Sequence, residues 1–238
     1  MAFEFESRVR YSETGPDRKL TNVSLVDYFQ DCSTFQSEDC GVGMDYLDHI
    51  DAAWMILSWQ IEICRRPVLG EKIYAQTWPY GFKAFYGYRN YALQDEKRTY
   101  LAKANSVWVL MDRSTGKPVR IAEDHLNCYP LEEKLEMEYG SRKMKFPEGS
   151  IPGDAFPVCH SHLDTNHHVN NGQYIRMAEE YLPTGFETER LLVEYRQQAH
   201  LHDIIVPYVY EEEHQVTVSL CDESGRPYAL VSHVGKRA

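Results

Sequence analysis

The densest group of polar side chains lies at residues 160–171, where the sequence reads His-Ser-His-Leu-Asp-Thr-Asn-His-His-Val-Asn-Asn. Asp164 and His168 are close enough in sequence to form a carboxylate–imidazole pair. The carboxylate would hold one tautomer of the ring and raise its basicity, as general-base catalysis on a water molecule requires. Asn166 carries an amide that can orient either group, or a substrate amide or carbonyl. These residue types therefore predict a site for acid–base chemistry.

The polar group runs into a predicted helix over residues 171–182. Asn171 and Gly172 open this helix, so their backbone N–H groups lie at its positive end and can stabilise an oxyanion. Gly172 also lacks a Cβ atom, which lets a substrate carbonyl approach closely. A purely structural interpretation stays open, because Asn170 or Asn171 acting as the N-cap would explain either residue.

A metal site is the second alternative for this segment. The spacing of His160, His162, Asp164 and His167 superficially resembles the H-x-H-x-D-H signature of metallo-β-lactamase-like hydrolases, whose side chains suit zinc. Here the gap before His167 is one residue too long, and little chain remains downstream for further ligands. We therefore expect neither a metal nor a cofactor.

The predicted secondary structure that positions this segment has the same order in both halves of the chain: a strand, a helix and four strands. In the first half we expect strands at 3–11, 53–64, 72–78, 85–93 and 100–111, and a helix that Asn22 caps and that fades near Gly41 or Gly43. In the second half we expect strands at 156–161, 191–197, 203–210, 214–221 and 228–234. A helix and an antiparallel sheet bury their apolar faces against each other, so an α+β class follows.

Matching residues support the repeat. Glu62 and Glu194 occupy equivalent positions, and we expect them to pair with the nearby Arg65 and Arg196. The predicted organisation is a first domain at 1–128, a linker at 129–152 and a second domain at 153–238. Within the linker, the charged residues 131–138 predict a short helix.

Residues 164–171 are similar to the D-x-N-x-H-V-N-N motif of plant and bacterial acyl–acyl carrier protein thioesterases. Val193-Glu-Tyr-Arg196 resembles the E-Y-R segment of the same family. The resemblance implies a double hot-dog fold, in which each of two helices is wrapped by an antiparallel sheet. It also implies hydrolysis of a fatty acyl thioester on acyl carrier protein, with Asp164, Asn166 and His168 in the active site and the acyl pocket largely in the first half.

One departure from the family pattern affects the expected mechanism. In plant members the E-Y-R segment continues into a Glu and a Cys with catalytic roles, whereas here those positions hold Gln198 and Ala199. Neither side chain can act as an acid, base or nucleophile. We expect Asp164 and His168 to activate a water, or Asp164 to attack the carbonyl, with Gln198 positioning water or substrate. An acyl-CoA thioesterase and a catalytically silent acyl- or carrier-binding module remain alternatives.

The charge balance restricts the partners. The chain carries 25 Lys and Arg against 36 Asp and Glu, a formal net charge of −11, which disfavours nucleic acid. Acyl carrier proteins are themselves acidic as a family, so docking would need a local positive patch. The predicted docking residues are Arg142, Lys143 and Lys145, with Arg65 and Arg66 as a second group.

The remaining composition is that of an ordinary folded protein, with 43% hydrophobic and 26% charged residues. No run of about 18 apolar residues occurs, so we expect no membrane span. The N-terminal residues alternate like a strand rather than a signal peptide. Six irregularly spaced cysteines without a C-x-x-C motif favour free thiols in a reducing cytoplasm. A monomer and a homodimer are both compatible with the sequence.

Overall fold

A computed structural model of the chain describes residues 2–237, apart from the side chain of Asp124. The chain divides into two compact units. One extends to Leu57 and continues over Glu62–Tyr139, and the other comprises Ser58–Ile61 and the chain from Gly140 onward. In the described range, every helix is too short or too polar to traverse a lipid bilayer.

The first unit is an antiparallel sheet with a long helix against it. Its strands are β1 (Phe3–Arg8), β2 (Ala52–Ile63), β3 (Lys72–Lys83), β4 (Tyr86–Gln94) and β5 (Tyr100–Asp112), in the order β1-β3-β4-β5-β2. Its helices are α1 (Asn22–Asp39), α2 (Met44–His49) and α3 (Glu123–Asn127). Helix α1 packs on β1 and β3. Two of these helices, α2 and α3, have too few periodic apolar residues to be predicted from the sequence.

Helix α1 forms because its apolar side chains recur at helical spacing on one face. Val26, Phe29 and Cys32 are fully buried, and the Phe29 ring lies 5.3 Å from that of Tyr91 on β4. The predicted helical pattern is therefore confirmed. Gly41, with φ of 71°, follows the end of the helix and adopts the left-handed conformation that terminates it, as expected.

The predicted cap of α1 is wrong by one residue. Thr21 is the N-cap, because its side chain accepts a hydrogen bond of 3.1 Å from the Ser24 N–H. Asn22 is the first helical residue, and its Oδ1 instead accepts a hydrogen bond of 2.5 Å from Arg66. A long-range partner thus decided which of two adjacent capping residues performs the capping role.

The second unit repeats the arrangement with shorter elements. Its strands are β6 (Ile151–Pro152), β7 (Phe156–Pro157), β8 (Phe186–Tyr195), β9 (Ile204–Glu211), β10 (Gln215–Cys221) and β11 (Pro227–Arg237). The sheet order is β8-β11-β10-β9-β6, and β7 also pairs with β9. Helix α4 (Asn171–Glu179) packs on β10 and β11 and is three residues shorter than the predicted 171–182. The strand expected at 156–161 is confined to β7.

The helix predicted over residues 131–138 does not form; the segment, which the structure describes throughout, has no regular secondary structure and bends at residues 136–137. The segment lies along the first unit, where the Trp78 indole N–H donates to the Glu133 carbonyl at 2.8 Å. Leu135 is buried against Trp78 and Ala92, and its N–H donates to Asn90 Oδ1 at 3.0 Å. These contacts satisfy the backbone without a helix and outweigh the local helical propensity of a charged segment.

Glu194, near the end of β8, has the structural role that the sequence predicts. It is 6% exposed, and its Oε2 accepts hydrogen bonds of 2.8 Å from both Arg196 and the Met144 N–H. The carboxylate thereby fastens the segment after residue 140 to the second unit. Its counterpart Glu62 accepts the Glu138 N–H at 3.1 Å.

We predict that Glu194→Ala lowers the free energy of unfolding by about 2 kcal/mol, since it leaves the Met144 N–H and the Arg196 guanidinium without their shared acceptor. Urea denaturation followed by circular dichroism measures the effect. The matched control is Glu189→Ala on the same strand, which removes an exposed ion pair to Lys236 and should leave the midpoint unchanged. Equal midpoints for the two variants would contradict this role.

Candidate active site

The segment that carries the predicted site residues folds as a tight turn. Leu163 and Val169 form an antiparallel bridge, and the Asp164 N–H donates to the His168 carbonyl at 2.8 Å. Asp164 Oδ1 accepts the Asn166 N–H at 2.8 Å and the His168 N–H at 3.2 Å. His167 adopts φ of 61° to complete the reversal. Asp164 is therefore required by the turn itself, as a short side chain that bonds its own backbone.

The structure brings Asp164 and His168 together, although not through the ring hydrogen bond that the sequence analysis expects. The carboxylate accepts the His168 main-chain N–H at 3.2 Å. Asn166 is exposed at the tip of the same turn. The turn thus presents a carboxylate, an amide and an imidazole from five consecutive residues.

His168 is half-buried, and its surroundings favour the neutral ring. Burial lowers the pKa of His168 below its usual value, the nearby His200 lowers it further, Asp164 opposes the shift and His167 adds a small lowering. A neutral imidazole at neutral pH is able to accept a proton, which is the state a general base needs.

The N-terminus of α4 is capped by the protein itself. Asn170, one of the two candidate N-cap residues, is the N-cap, and its Oδ1 accepts the Gly172 N–H at 2.8 Å. The Gly172 N–H is therefore engaged in the cap rather than directed at a ligand, which corrects its predicted role as an oxyanion donor. Asn171 contributes its carbonyl to the Tyr195 hydroxyl at 3.0 Å. An oxyanion role for the Asn171 N–H stays a prediction.

The loop after β8 supplies a residue that the sequence analysis missed. Val169 N–H donates to the Ala199 carbonyl at 3.0 Å, and this contact places the His200 ring against His168, with ring centroids 4.9 Å apart and an interplanar angle of 67°. Gln198 lies exposed on the same loop. A signal existed in the sequence, since His200 follows the E-Y-R segment closely, but only the pairing of the two loops reveals it.

The histidines of the alternative metal signature have other partners in the structure. In residues 2–237, no three His, Cys, Asp or Glu side chains converge as a metal site would require. His162 instead accepts the Cys159 N–H through Nδ1 at 3.0 Å, and the His160 ring lies 6.3 Å from that of His202.

The predicted docking residues differ in their surroundings. Lys143 and Lys145 are exposed, and Arg142 is half-buried. Arg65 binds both oxygens of Glu71, at 2.9 and 2.5 Å, rather than the predicted Glu62. Arg66 is held by the Leu20 carbonyl at 2.9 Å and by Asn22.

Family models match both halves of the chain. The model described as "Acyl-ACP thioesterase N-terminal domain" matches residues 1–129, and "Acyl-ACP thioesterase C-terminal domain" matches residues 151–231. Among curated proteins, a chloroplastic acyl-[acyl-carrier-protein] hydrolase of Cuphea viscosissima, FATB3, is 24% identical over 224 residues, which cover 86% of this chain and 54% of the relative. The chain thus spans about half the length of the curated relatives it matches.

Solved structures share the fold. An acyl-ACP thioesterase from Bacteroides thetaiotaomicron superposes with a TM-score of 0.90 at 21% identity, covering 98% of this chain and 97% of that one. The 12:0-ACP thioesterase from Umbellularia californica gives 0.87 at 16% identity, covering 100% and 98%. These likenesses confirm the predicted double hot-dog fold.

We predict that His168 titrates below pH 6.5 in a histidine NMR titration, since burial and the neighbouring imidazoles disfavour its charged form. His168→Ala assigns the resonance by its loss. A midpoint at or above 6.5 would contradict the environment described for this ring.

Proposed function

The chain belongs to the acyl-ACP thioesterase family, and from that premise we propose that it hydrolyses the thioester between a fatty acyl chain and acyl carrier protein. The observation that carries the proposal is His168, a half-buried imidazole whose lowered pKa favours the neutral base, adjacent to Asp164 in the turn formed by the family motif. The products are a free fatty acid and the carrier with its thiol restored.

The proposed chemistry is general-base hydrolysis. Neutral His168 accepts a proton from a water molecule, whose oxygen attacks the thioester carbonyl carbon. Collapse of the tetrahedral intermediate breaks the carbon–sulfur bond, and the imidazolium returns the proton to the leaving thiolate. Asp164 stabilises the transient imidazolium through its charge.

Asp164 is less suited to direct attack on the carbonyl. Its Oδ1 already accepts two main-chain N–H groups, at 2.8 and 3.2 Å, and both hydrogen bonds are required for the turn. Attack through Oδ1 would therefore break the turn that positions His168, and attack through Oδ2 would turn the carboxylate into a neutral acyl derivative and remove the charge that stabilises the imidazolium. The water route needs no such change. Asn166, in the same turn as His168, and Gln198, on the loop after β8, are both exposed, and we propose that they orient water or the thioester.

A reducing compartment such as the cytoplasm suits this proposal. None of the six cysteines, all of which lie in the described part of the chain, forms a disulfide. Cys32 and Cys221 are buried, and burial raises the pKa of both thiols, so they remain protonated and unreactive.

Two substitutions test the proposed chemistry. Asp164→Asn keeps an oxygen that can accept the two turn N–H groups but removes the charge, and His168→Ala removes the base. Each should lower kcat for acyl-ACP hydrolysis at least about 100-fold. Release of free thiol measures the rate, and thermal melting verifies folding.

Three results would redirect the proposal. Near wild-type rates for both variants would exclude Asp164 and His168 as the catalytic pair. A clear preference for acyl-CoA over acyl-ACP would exclude the carrier as the substrate. Tight binding of acyl-ACP without thiol release would identify a silent binding module. His214→Ala, an exposed histidine on the second unit, is the control that should not change the rate.

Charge reversal on the surface tests docking of the carrier. We propose that Lys143 and Lys145, both exposed, form the docking patch together with the neighbouring Arg142. Arg65 and Arg66, the second predicted group, bind Glu71 and the Leu20 carbonyl. Lys143→Glu with Lys145→Glu should lower kcat/KM for acyl-ACP about tenfold at low salt and less at high salt. An uncharged acyl thioester of a short pantetheine analogue should be unaffected. Lys97→Glu with Lys117→Glu, two exposed lysines of the first unit, provides the charge-matched control. An equal, salt-independent effect on all substrates would eliminate this patch.

A further inference from the structure

His200 is an exposed histidine outside the D-x-N-x-H-V-N-N motif, yet its ring packs on the proposed base. The His168 and His200 centroids are 4.9 Å apart, and the rings meet edge to face at 67°. The second histidine pair of this region, His160 and His202, has its centroids 6.3 Å apart. The closer pair is thus the one that contains the proposed base, His168.

Three hydrogen bonds hold the backbone at Ala199 and His200, so the fold fixes the position from which the His200 ring contacts His168. The His200 N–H donates to Asp203 Oδ2 at 2.8 Å. The preceding residue, Ala199, donates its N–H to the Tyr174 hydroxyl of α4 at 3.0 Å and accepts the Val169 N–H at 3.0 Å. Ala199 is fully buried, which leaves the loop little freedom to move the ring away.

We propose that His200 is a positioning residue for hydrolysis: its ring holds the His168 imidazole in the orientation that general-base catalysis needs. This inference rests on the proposed function. It also accounts for the site lacking an acid at Gln198, since a second ring, rather than a carboxylate, supports the base from the loop after β8.

The contact has an electrostatic consequence. The titratable groups that face His168 are Asp164 and His167 on its own loop, and His200 on the loop after β8. Both neighbouring imidazoles lower the pKa of His168, and Asp164 opposes them. Removing His200 also exposes His168 to more water, so both effects of the substitution favour the protonated ring.

The test compares three variants by their pH profiles. His200→Ala should lower kcat about tenfold with little change in KM, because the base loses its orientation. It should also move the acid limb of kcat/KM to higher pH. His200→Phe keeps a ring against His168 without the charge, so it should restore most of kcat while the acid limb stays shifted. His202→Asn, at an exposed position with φ of 71° that asparagine tolerates, should leave both readouts unchanged.

NMR titration of His168 separates this inference from the proposed function, because it needs no substrate. The His168 midpoint should rise in both His200 variants, even if the wild-type protein proves inactive on every acyl thioester. An unchanged midpoint together with an unchanged kcat in His200→Ala would overturn the inference. Equal losses of kcat in His200→Ala and His200→Phe would overturn the role of the ring contact.

Discussion

The main-chain hydrogen bond from Val169 to the Ala199 carbonyl joins the two loops on which the site depends. It connects the motif turn to the segment that follows β8, two stretches of chain thirty residues apart (199 − 169). Tyr174 on α4 secures the same position through the Ala199 N–H. Ala199 has no nucleophilic side chain, and its backbone has the structural role of joining the two loops.

Burial and the charge of Asp164 have opposite effects on the pKa of His168. Asp164 is held by two N–H groups of its own turn, so its carboxylate is kept in one place beside His168. The surrounding imidazoles and partial burial act in the opposite direction on His168 and favour the neutral base. A base that is neutral yet adjacent to a fixed negative charge can accept a proton and be stabilised once it has done so.

The elements with strong periodicity were predictable, and those decided by long-range contacts were not. The helical spacing of Val26, Phe29 and Cys32 predicts α1, because a helix with one apolar face buries that face in any fold that contains it. Residues 131–138 carry helix-forming side chains, yet Leu135 is buried against Trp78 and the described chain forms no helix there. Local propensities are worth a few tenths of a kcal/mol per residue, and the burial of one leucine exceeds them.

For the site, the sequence by itself determined the motif turn, because Asp164 bonds the backbone only two and four residues ahead. It also determined the start of α4 at the Asn170 cap, since capping is a local hydrogen bond. The tertiary structure decided the rest. Only the folded chain shows that the His200 ring packs against His168. The physical reason is range: turns and caps are completed within a few residues, whereas a ring contact between two loops depends on the strands that carry them.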